Sequence, residues 1–144
     1  MGKLTFGYVL AIIFMMSGCV AHKSGASKEI DIVGKKWQVV ELSGQPVAEK
    51  INGKMPYLEL LKEEGRYAAS GGCNGIGGSY TLSKKNGISF SLGISTMMAC
   101  TDMSAEQGLK AVFKDAKSYT VDGEALTLQN EQGQTIAKFK QMQE

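Results

Sequence analysis

The three cysteines carry the most reactive side chains in the sequence, and their surroundings limit the chemistry open to them. Cys19 lies near the N-terminus, whereas Cys73 and Cys100 lie 27 positions apart in the rest of the chain. The only histidine, His22, is close to Cys19, so it does not support a thiol–histidine nucleophile at either of the other two cysteines. Two cysteines cannot complete an all-thiolate tetrahedral zinc site, which needs twice as many. We therefore expect no enzyme activity, no catalytic residue, no metal and no cofactor.

The N-terminus has the order of regions found in an export signal. Lys3 precedes a mostly apolar run over residues 4–16, and the small residues Ser17 and Gly18 follow it. The run is shorter than the roughly 20 residues that a membrane-spanning helix needs. Because residues 16–19 resemble the lipobox of bacterial lipoproteins, we predict a signal peptide over residues 1–18 and lipidation of Cys19. An ordinary signal peptide with an incidental cysteine is the alternative.

Lipidation would hold the mature chain at a membrane, because several acyl chains together bind a bilayer stably. Residues 19–31 lack a periodic apolar face and contain many small and polar residues, which predicts a flexible tether. Val20, rather than aspartate, follows Cys19. By resemblance to enterobacterial lipoproteins, this residue favours the outer membrane, facing the periplasm. The expected location is the cell envelope.

An oxidising envelope would make a disulfide the simplest use for Cys73 and Cys100. The alternative is two buried thiols that pack as small hydrophobic side chains. The two residues lack the Cys-x-x-Cys spacing of redox-active pairs, so the sequence gives little support to a reactive thiol.

Two other motifs suggest chemistry only superficially. The glycine-rich residues 71–78 are not followed by the Gly-Lys-Ser/Thr of a phosphate-binding loop, and the next segment alternates as a strand. The acidic pair Glu63-Glu64 falls in a predicted hairpin loop, where a solvated charge run is the ordinary interpretation. The residues therefore favour a structural loop over a phosphate site, and no acid/base pair is recognisable.

From residue 35 onward, short runs alternate apolar and polar residues between turn signals, as in an antiparallel sheet. Trp37, Val39, Leu42, Leu58 and Leu60 mark the inner sides of the first two predicted strands. Further strands are predicted at 66–70, 78–82, 88–92, 95–100, 118–122, 125–129 and 135–141. Hairpin turns are expected at 64–65, 86–87, 122–123 and 132–133.

One segment has helical rather than strand periodicity. Apolar residues recur at helical spacing over residues 104–117, which predicts an amphipathic helix lying across an opening of the sheet. Ser104 and Gln107 have the spacing of a capping box, and Glu106 suits the positive start of a helix.

Length and composition exclude several classes of protein. The chain of 144 residues, less its predicted leader, is long enough for one domain. Its net charge of +2 is too small for a nucleic-acid partner, and 43% hydrophobic residues argue against disorder.

A series of motifs resembles the META domain of the HslJ-type bacterial lipoproteins over approximately residues 32–140. It comprises Gly34-Lys35-Lys36-Trp37, Gly71-Gly72-Cys73-Asn74-Gly75, Gly78-Ser79-Tyr80, Thr96-Met97-Met98-Ala99-Cys100 and Leu126-Thr127-Leu128. The resemblance implies a mainly β (α+β) domain over 32–144, an antiparallel lipocalin-like or cracked barrel of about eight strands with one helix. Many relatives have a basic residue where this chain has Met97. This difference weakens the case for an anion-binding contact at that position.

The resemblance carries no established reaction, so we expect a non-enzymatic, lipid-anchored envelope protein, a stress-linked structural or interaction module. Its expected partners are the membrane and an envelope protein or cell-wall component, without nucleic acid, and a monomer is expected. The candidate interaction loop comprises Asn74, Gly75, Gly77 and Gly78. The alternative is a binding protein or sensor for a small apolar ligand. Six aromatic residues could line its cavity or fill the core: Trp37, Tyr57, Tyr67, Tyr80, Phe90 and Phe139.

Overall fold

The computed structural model of the chain describes residues 32–63 and 65–143. The predicted signal peptide (1–18), the lipidation site Cys19 and the tether (19–31) lie outside the described residues. Within the described residues, no helix has the length and apolarity needed to cross a membrane.

The described part of the chain forms ten β-strands and one α-helix. In chain order they are β1 (Lys36–Leu42), β2 (Gln45–Pro46), β3 (Tyr57–Leu60), β4 (Arg66–Ser70), β5 (Gly75–Ser83), β6 (Gly87–Phe90), β7 (Ile94–Ser95), α1 (Ser104–Asp115), β8 (Ser118–Asp122), β9 (Ala125–Gln129) and β10 (Thr135–Gln141). All strand pairings are antiparallel.

Eight of the strands form a closed ring. Their order is β1-β3-β4-β5-β6-β8-β9-β10, and β10 returns to pair with β1 along most of its length. The ring is weakest between β6 and β8, where the ladder has the single pair Gly87↔Ser118. Two flanking hydrogen bonds, from Ile88 N to Lys117 O (3.0 Å) and from Tyr119 N to Asn86 O (2.9 Å), complete this seam. The predicted mainly β fold, a barrel of about eight strands with one helix, is confirmed.

Alternating side chains of these strands fill the barrel. Trp37, Leu58, Leu126 and Leu128 are completely buried in one continuous hydrophobic cluster. The indole Nε1 of Trp37 donates to Ile32 O at 3.1 Å, so the largest core side chain is also satisfied as a donor. Of the aromatic residues considered for a cavity, Trp37, Tyr67 and Phe139 are buried in this cluster, and Tyr80 and Phe90 are partly buried against it. The ring of Tyr57 instead lies beneath Lys36, whose Nζ is 3.9 Å from the centroid of that ring.

Four predicted strands agree residue for residue with β4, β8, β9 and β10. The predicted strand over 95–100 is wrong, since the strand pairing with β5 ends at Ser95. Beyond that point the main-chain N–H of Met98 donates to the Asn74 side chain rather than to a neighbouring strand. The two-residue strands β2 and β7 are too short to produce a detectable alternation.

Helix α1 packs against β1 and β6 and buries Leu109, Val112 and Phe113. β1 and β6 stand on opposite sides of the eight-strand ring, so α1 spans the ring from one side to the other, which agrees with the predicted placement across an opening of the sheet. The predicted capping box is wrong, because Ser104 is the first helical residue and no side chain caps from Met103. The helix also ends two residues earlier than predicted, at Asp115. Its main chain becomes extended at Ala116, and Lys117 N donates to Gln129 O in the sheet.

Candidate functional site

Cys73 and Cys100 form a disulfide with Cα atoms 6.0 Å apart, which confirms the predicted pair. Cys73 is buried in the loop after β4, and Cys100 lies in the segment that leads to α1. The bond therefore ties that segment to the barrel. Because both sulfurs are engaged, neither is a thiol nucleophile in this structure.

Asn74, next to the disulfide, is 2% exposed and uses both ends of its side chain. Its Nδ2 donates to Glu106 Oε2 at 3.0 Å and to Met98 O at 3.1 Å. Its Oδ1 accepts from Thr96 Oγ1 at 2.8 Å and from Met98 N at 2.7 Å. An amide carries two donors and an acceptor with two lone pairs, so this one side chain satisfies groups on two elements. We call Asn74, Thr96, Met98 and Glu106 the Asn74 network.

Within the candidate interaction loop, Asn74 does not present its side chain at the surface, because the network that it forms buries it. Gly75 is exposed at the start of β5, and Gly77 and Gly78 are partly exposed within that strand. A Cβ on nearby Gly71 would overlap Glu106 N and Cα. The glycine-rich sequence therefore lets the loop approach α1, and it contributes little exposed side-chain surface.

Glu106 anchors the network from the first turn of α1 and is 2% exposed. Burial by itself would raise the pKa of its carboxyl. The hydrogen bonds from Lys110 (2.7 Å) and Asn74, together with the charge of Lys110, outweigh burial and hold the pKa below its ordinary value. The carboxylate is therefore ionised and fully partnered at neutral pH. Its sequence spacing with Lys110 is that of an ordinary surface pair, which gave no indication of burial.

A second link holds the segment just before α1. Asn52 Nδ2 donates to Asp102 O at 2.7 Å, and Asp102 N donates to Asn52 Oδ1 at 3.3 Å. The Asp102 carboxylate accepts from Ser104 Oγ at 2.6 Å and Ser104 N at 2.8 Å. These hydrogen bonds hold the pKa of the Asp102 carboxyl below its ordinary value. Asp102 thus satisfies a main-chain donor at the helix start, the role that sequence reasoning gave to Ser104.

The fixed segment presents large apolar side chains to solvent. Residues 92–98, here called the apolar segment, include Leu92 (74% exposed), Ile94 (82%), Met97 (96%) and Met98 (51%). Its start is held by Tyr67, whose hydroxyl donates to Ser91 O at 3.0 Å. Burial raises the pKa of that hydroxyl. The apolar segment is thus an exposed hydrophobic surface on a main chain held by the Asn74 network.

Sequence reasoning did not find this surface, because it assigned 95–100 to a strand. One signal was present: the chain has no charged residue between Lys85 and Asp102. Sixteen consecutive uncharged residues that include an exposed stretch are unusual for a chain whose charged residues make up 21% of the total.

Two open grooves flank these elements. One, of about 380 Å³, lies beside the apolar segment and is lined by Tyr57, Arg66, Ala68, Gly77 and Ile94 among others. The other, of about 450 Å³, lies between the chain after β1 and the start of α1. Among the described residues, no group of three or more histidine, cysteine, aspartate or glutamate side chains could hold a metal ion.

In the described residues, the fold and its disulfide define a class of small antiparallel β-barrel with one helix that spans the ring from β1 to β6. The family model for the META domain matches residues 30–143, and the chain belongs to this family. A comparison with curated proteins finds no match.

Solved structures share the fold at low sequence identity. An NMR structure of a protein from Burkholderia xenovorans is 19% identical with a TM-score of 0.61, covering 78% of this chain and 85% of that one. A second NMR structure is 18% identical with a TM-score of 0.57, covering 74% and 87%. A crystal structure of a DUF4847 family protein from Bacteroides vulgatus is 16% identical with a TM-score of 0.53, covering 76% and 93%. At these identities the likeness concerns the fold alone.

Proposed function

We propose that this chain is a non-enzymatic, lipid-anchored protein of the cell envelope that binds another envelope component through its apolar segment. The observation that carries the proposal is the exposure of Leu92, Ile94, Met97 and Met98 on one short stretch of chain. A large contiguous apolar patch on the surface of a soluble protein commonly marks an interaction site.

The way the segment is held supports binding rather than incidental exposure. The Asn74 network and the disulfide fix its main chain, so a partner would not have to order this stretch on binding. Pre-organisation of this kind reduces the entropic cost of association. Burial of the four side chains would supply about 25 cal/mol for each Å² of apolar area removed from water.

The resemblance of residues 16–19 to a lipobox, with Cys19 as the residue to be lipidated, supports the location. The 13 residues from Cys19 to residue 31 could extend at most about 47 Å, at roughly 3.3–3.6 Å per residue. A barrel on such a tether stays close to the membrane surface, among other anchored proteins and the cell wall. The outer membrane is proposed because Val20 follows Cys19. A stress-linked role is part of the proposal and is supported only by the resemblance to HslJ-type lipoproteins.

The anchoring is tested with Cys19→Ala in the full chain. We expect the wild-type protein to fractionate with membranes and to have the mass of a lipidated chain beginning at Cys19. The variant should lose both the lipid mass and the membrane association. Equal fractionation and unmodified mass in both proteins would contradict anchoring.

The interaction is tested by crosslinking in intact cells with a photoreactive amino acid in place of Ile94. A matched control carries the same group in place of Val40, another exposed apolar residue (44%), which lies on β1. We expect one reproducible adduct from position 94 that is absent from position 40. The same adducts from both positions, or none from position 94, would contradict the proposed interaction.

A second candidate is a carrier or sensor of a small apolar molecule. The groove of about 450 Å³ near the start of α1 favours it, because Leu42, Val47 and Ile51 give it apolar walls. Native mass spectrometry of gently purified protein should then show a defined additional mass beyond that of the lipid. The lipidated mass alone would contradict this function.

A further inference from the structure

We propose that the partner binds as an additional β-strand along the free edge of β7, and that it is an uncharged, extended peptide segment. This inference rests on the proposed function, since it specifies what the apolar segment binds. Strand addition to a sheet edge is a common mode of peptide recognition, in which main-chain hydrogen bonds give affinity and side chains give selectivity.

The register of β7 defines the edge. Among the described residues, β7 pairs with β5 alone, through Ile76↔Ser95 and Gly77↔Ile94, and Thr96 N donates to Gly75 O at 3.1 Å. Main-chain groups alternate in direction along a strand, so the N–H and C=O of Ser95 point away from β5. No described residue forms a hydrogen bond with either group. A peptide aligned antiparallel to β7 could pair with both.

The sequence of this edge lacks the usual protection against pairing. Natural edge strands carry lysine, proline or inward charges that prevent another strand from adding. Here no charged residue occurs from 86 to 101, and both prolines of the chain, Pro46 and Pro56, lie elsewhere. An uncharged edge favours an uncharged partner, because a charged side chain placed directly on it would lose hydration without gaining a counter-charge from residues 86–101.

The side chains beside the edge of β7 offer surfaces against which an added strand could pack. Ile94 lies at the same register position as Gly77 and Ala68 and borders the groove of about 380 Å³. On the other side, a smaller crevice of about 150 Å³ is lined by Leu92, Phe113 and Lys110, among others. An added strand could therefore bury its apolar residues against Ile94 and Leu92.

Two other occupants fit less well. A lipid surface could cover the apolar side chains, but its hydrocarbon offers no partner for the outward N–H and C=O of Ser95. A second folded copy would need an interface of roughly 20–30 residues on each side to form a stable dimer. The four exposed side chains of this patch are far fewer than that.

The first test uses the full lipidated protein in detergent micelles and a labelled, end-capped six-residue peptide of alternating valine and threonine. We expect saturable binding by fluorescence anisotropy. The same peptide with N-methyl groups on alternate residues, which removes the donors of one edge, should bind at least about tenfold more weakly, a difference equivalent to 1.4 kcal/mol. Equal affinity of the two peptides would overturn strand addition.

The second test changes the edge itself. Ser95→Pro removes the outward N–H, whereas Ser95→Ala removes only the hydroxyl. The ratio of the peptide's affinities for these two variants therefore measures the contribution of the main-chain hydrogen bond. We expect Ser95→Pro to bind about tenfold more weakly than Ser95→Ala. Ile94→Lys should weaken binding similarly, and Val40→Lys on β1 serves as the control for an added surface charge. Urea unfolding and an intact disulfide show that each variant is folded.

The crosslinking experiment separates failure of this inference from failure of the proposed function. A crosslinked partner that is retained equally in Ser95→Pro and Ser95→Ala would leave the interaction standing and overturn the strand geometry. Absence of any adduct from position 94 would instead count against the proposed function. A concentration-dependent dimer that buries Ile94 would overturn the peptide partner in favour of a second copy.

Discussion

Asn74 Nδ2 and Glu106 Oε2 lie 3.0 Å apart although 32 residues separate them in the chain, and both side chains are 2% exposed. This bond joins the loop after β4 to the first turn of α1. Asn74 also holds Met98, so the same amide connects the helix to the apolar segment. The stability of the barrel and the shape of the proposed binding surface therefore depend on the same side chain.

Replacing Glu106 by glutamine should destabilise the fold by about 1–3 kcal/mol. One carboxylate oxygen accepts two bonds from Asn74 and the other accepts the Lys110 ammonium. Glutamine has a single oxygen, so its NH₂ group must face a donor on one side. The measurement is the free energy of unfolding in urea at pH 7. Glu131→Gln, an exposed change in the β9–β10 turn, is the control and should shift the free energy by less than about 0.5 kcal/mol. Similar effects of the two substitutions would argue against the network.

The same carboxylate predicts a pH dependence of stability. Because hydrogen bonds and the Lys110 charge outweigh burial and lower its pKa in the folded state, the unfolded chain binds the proton more readily. The carboxylate therefore stabilises the fold above the ordinary glutamate value of about 4.5, and this contribution is lost as pH falls through the lower folded-state pKa.

We expect the difference in unfolding free energy between wild type and Glu106→Gln to be largest near neutral pH and to shrink as the solution becomes more acidic than about pH 4. Urea titrations at a series of pH values measure it. A difference that stays constant down to pH 3, or grows on acidification, would contradict the assigned role.

Much of the fold could be predicted from the sequence because one buried face gives each longer strand a period of two. Leu126 and Leu128 in β9 and Trp37 and Val39 in β1 carry this signal, and the strands around them agree with the structure. The two-residue strands β2 and β7 contain too few residues for any alternation. The helix start was predicted at the right residue but its cap was not, because Asp102, which accepts from Ser104 N, lies outside the helix and leaves no capping-box spacing.

The site was harder to predict, because its main contacts join distant segments. The disulfide could be predicted from the two cysteines and an oxidising compartment. The burial of Glu106 could not be predicted, because its four-residue spacing from Lys110 is also that of a solvent-exposed ion pair. Asn74 was placed in a candidate interaction loop, because its neighbours in the sequence carry no sign of the distant groups that its side chain contacts. Only the folded chain shows that the two side chains meet.

The fit between the glycine-rich loop and α1 gives a matched pair of substitutions. A Cβ at Gly71 would overlap main-chain atoms of Glu106, whereas a Cβ at Gly75 has nothing within 4 Å. Gly71→Ala should therefore lower the free energy of unfolding by about 1–3 kcal/mol, because either the loop or the helix must shift. Gly75→Ala should leave it unchanged within about 0.5 kcal/mol. Urea unfolding of both variants is the measurement, and equal values would show that the loop accommodates a side chain freely.

Loss of the disulfide should reduce the free energy of unfolding by about 3–4 kcal/mol, the chain-entropy value for a loop of this length. The link closes the chain between Cys73 and Cys100, a separation of 27 residues. The double variant Cys73→Ala/Cys100→Ala removes it without leaving an unpaired thiol at either position.

The Asn74 network spans the same two segments, so the double variant should still fold and should keep α1 in place. Urea unfolding with and without a reductant provides the measurement. The wild-type protein should lose stability when reduced, and the double variant should be insensitive to the reductant. A wild-type protein equally stable in both conditions would mean that the hydrogen bonds of Asn74 already restrict the chain as much as the covalent link does.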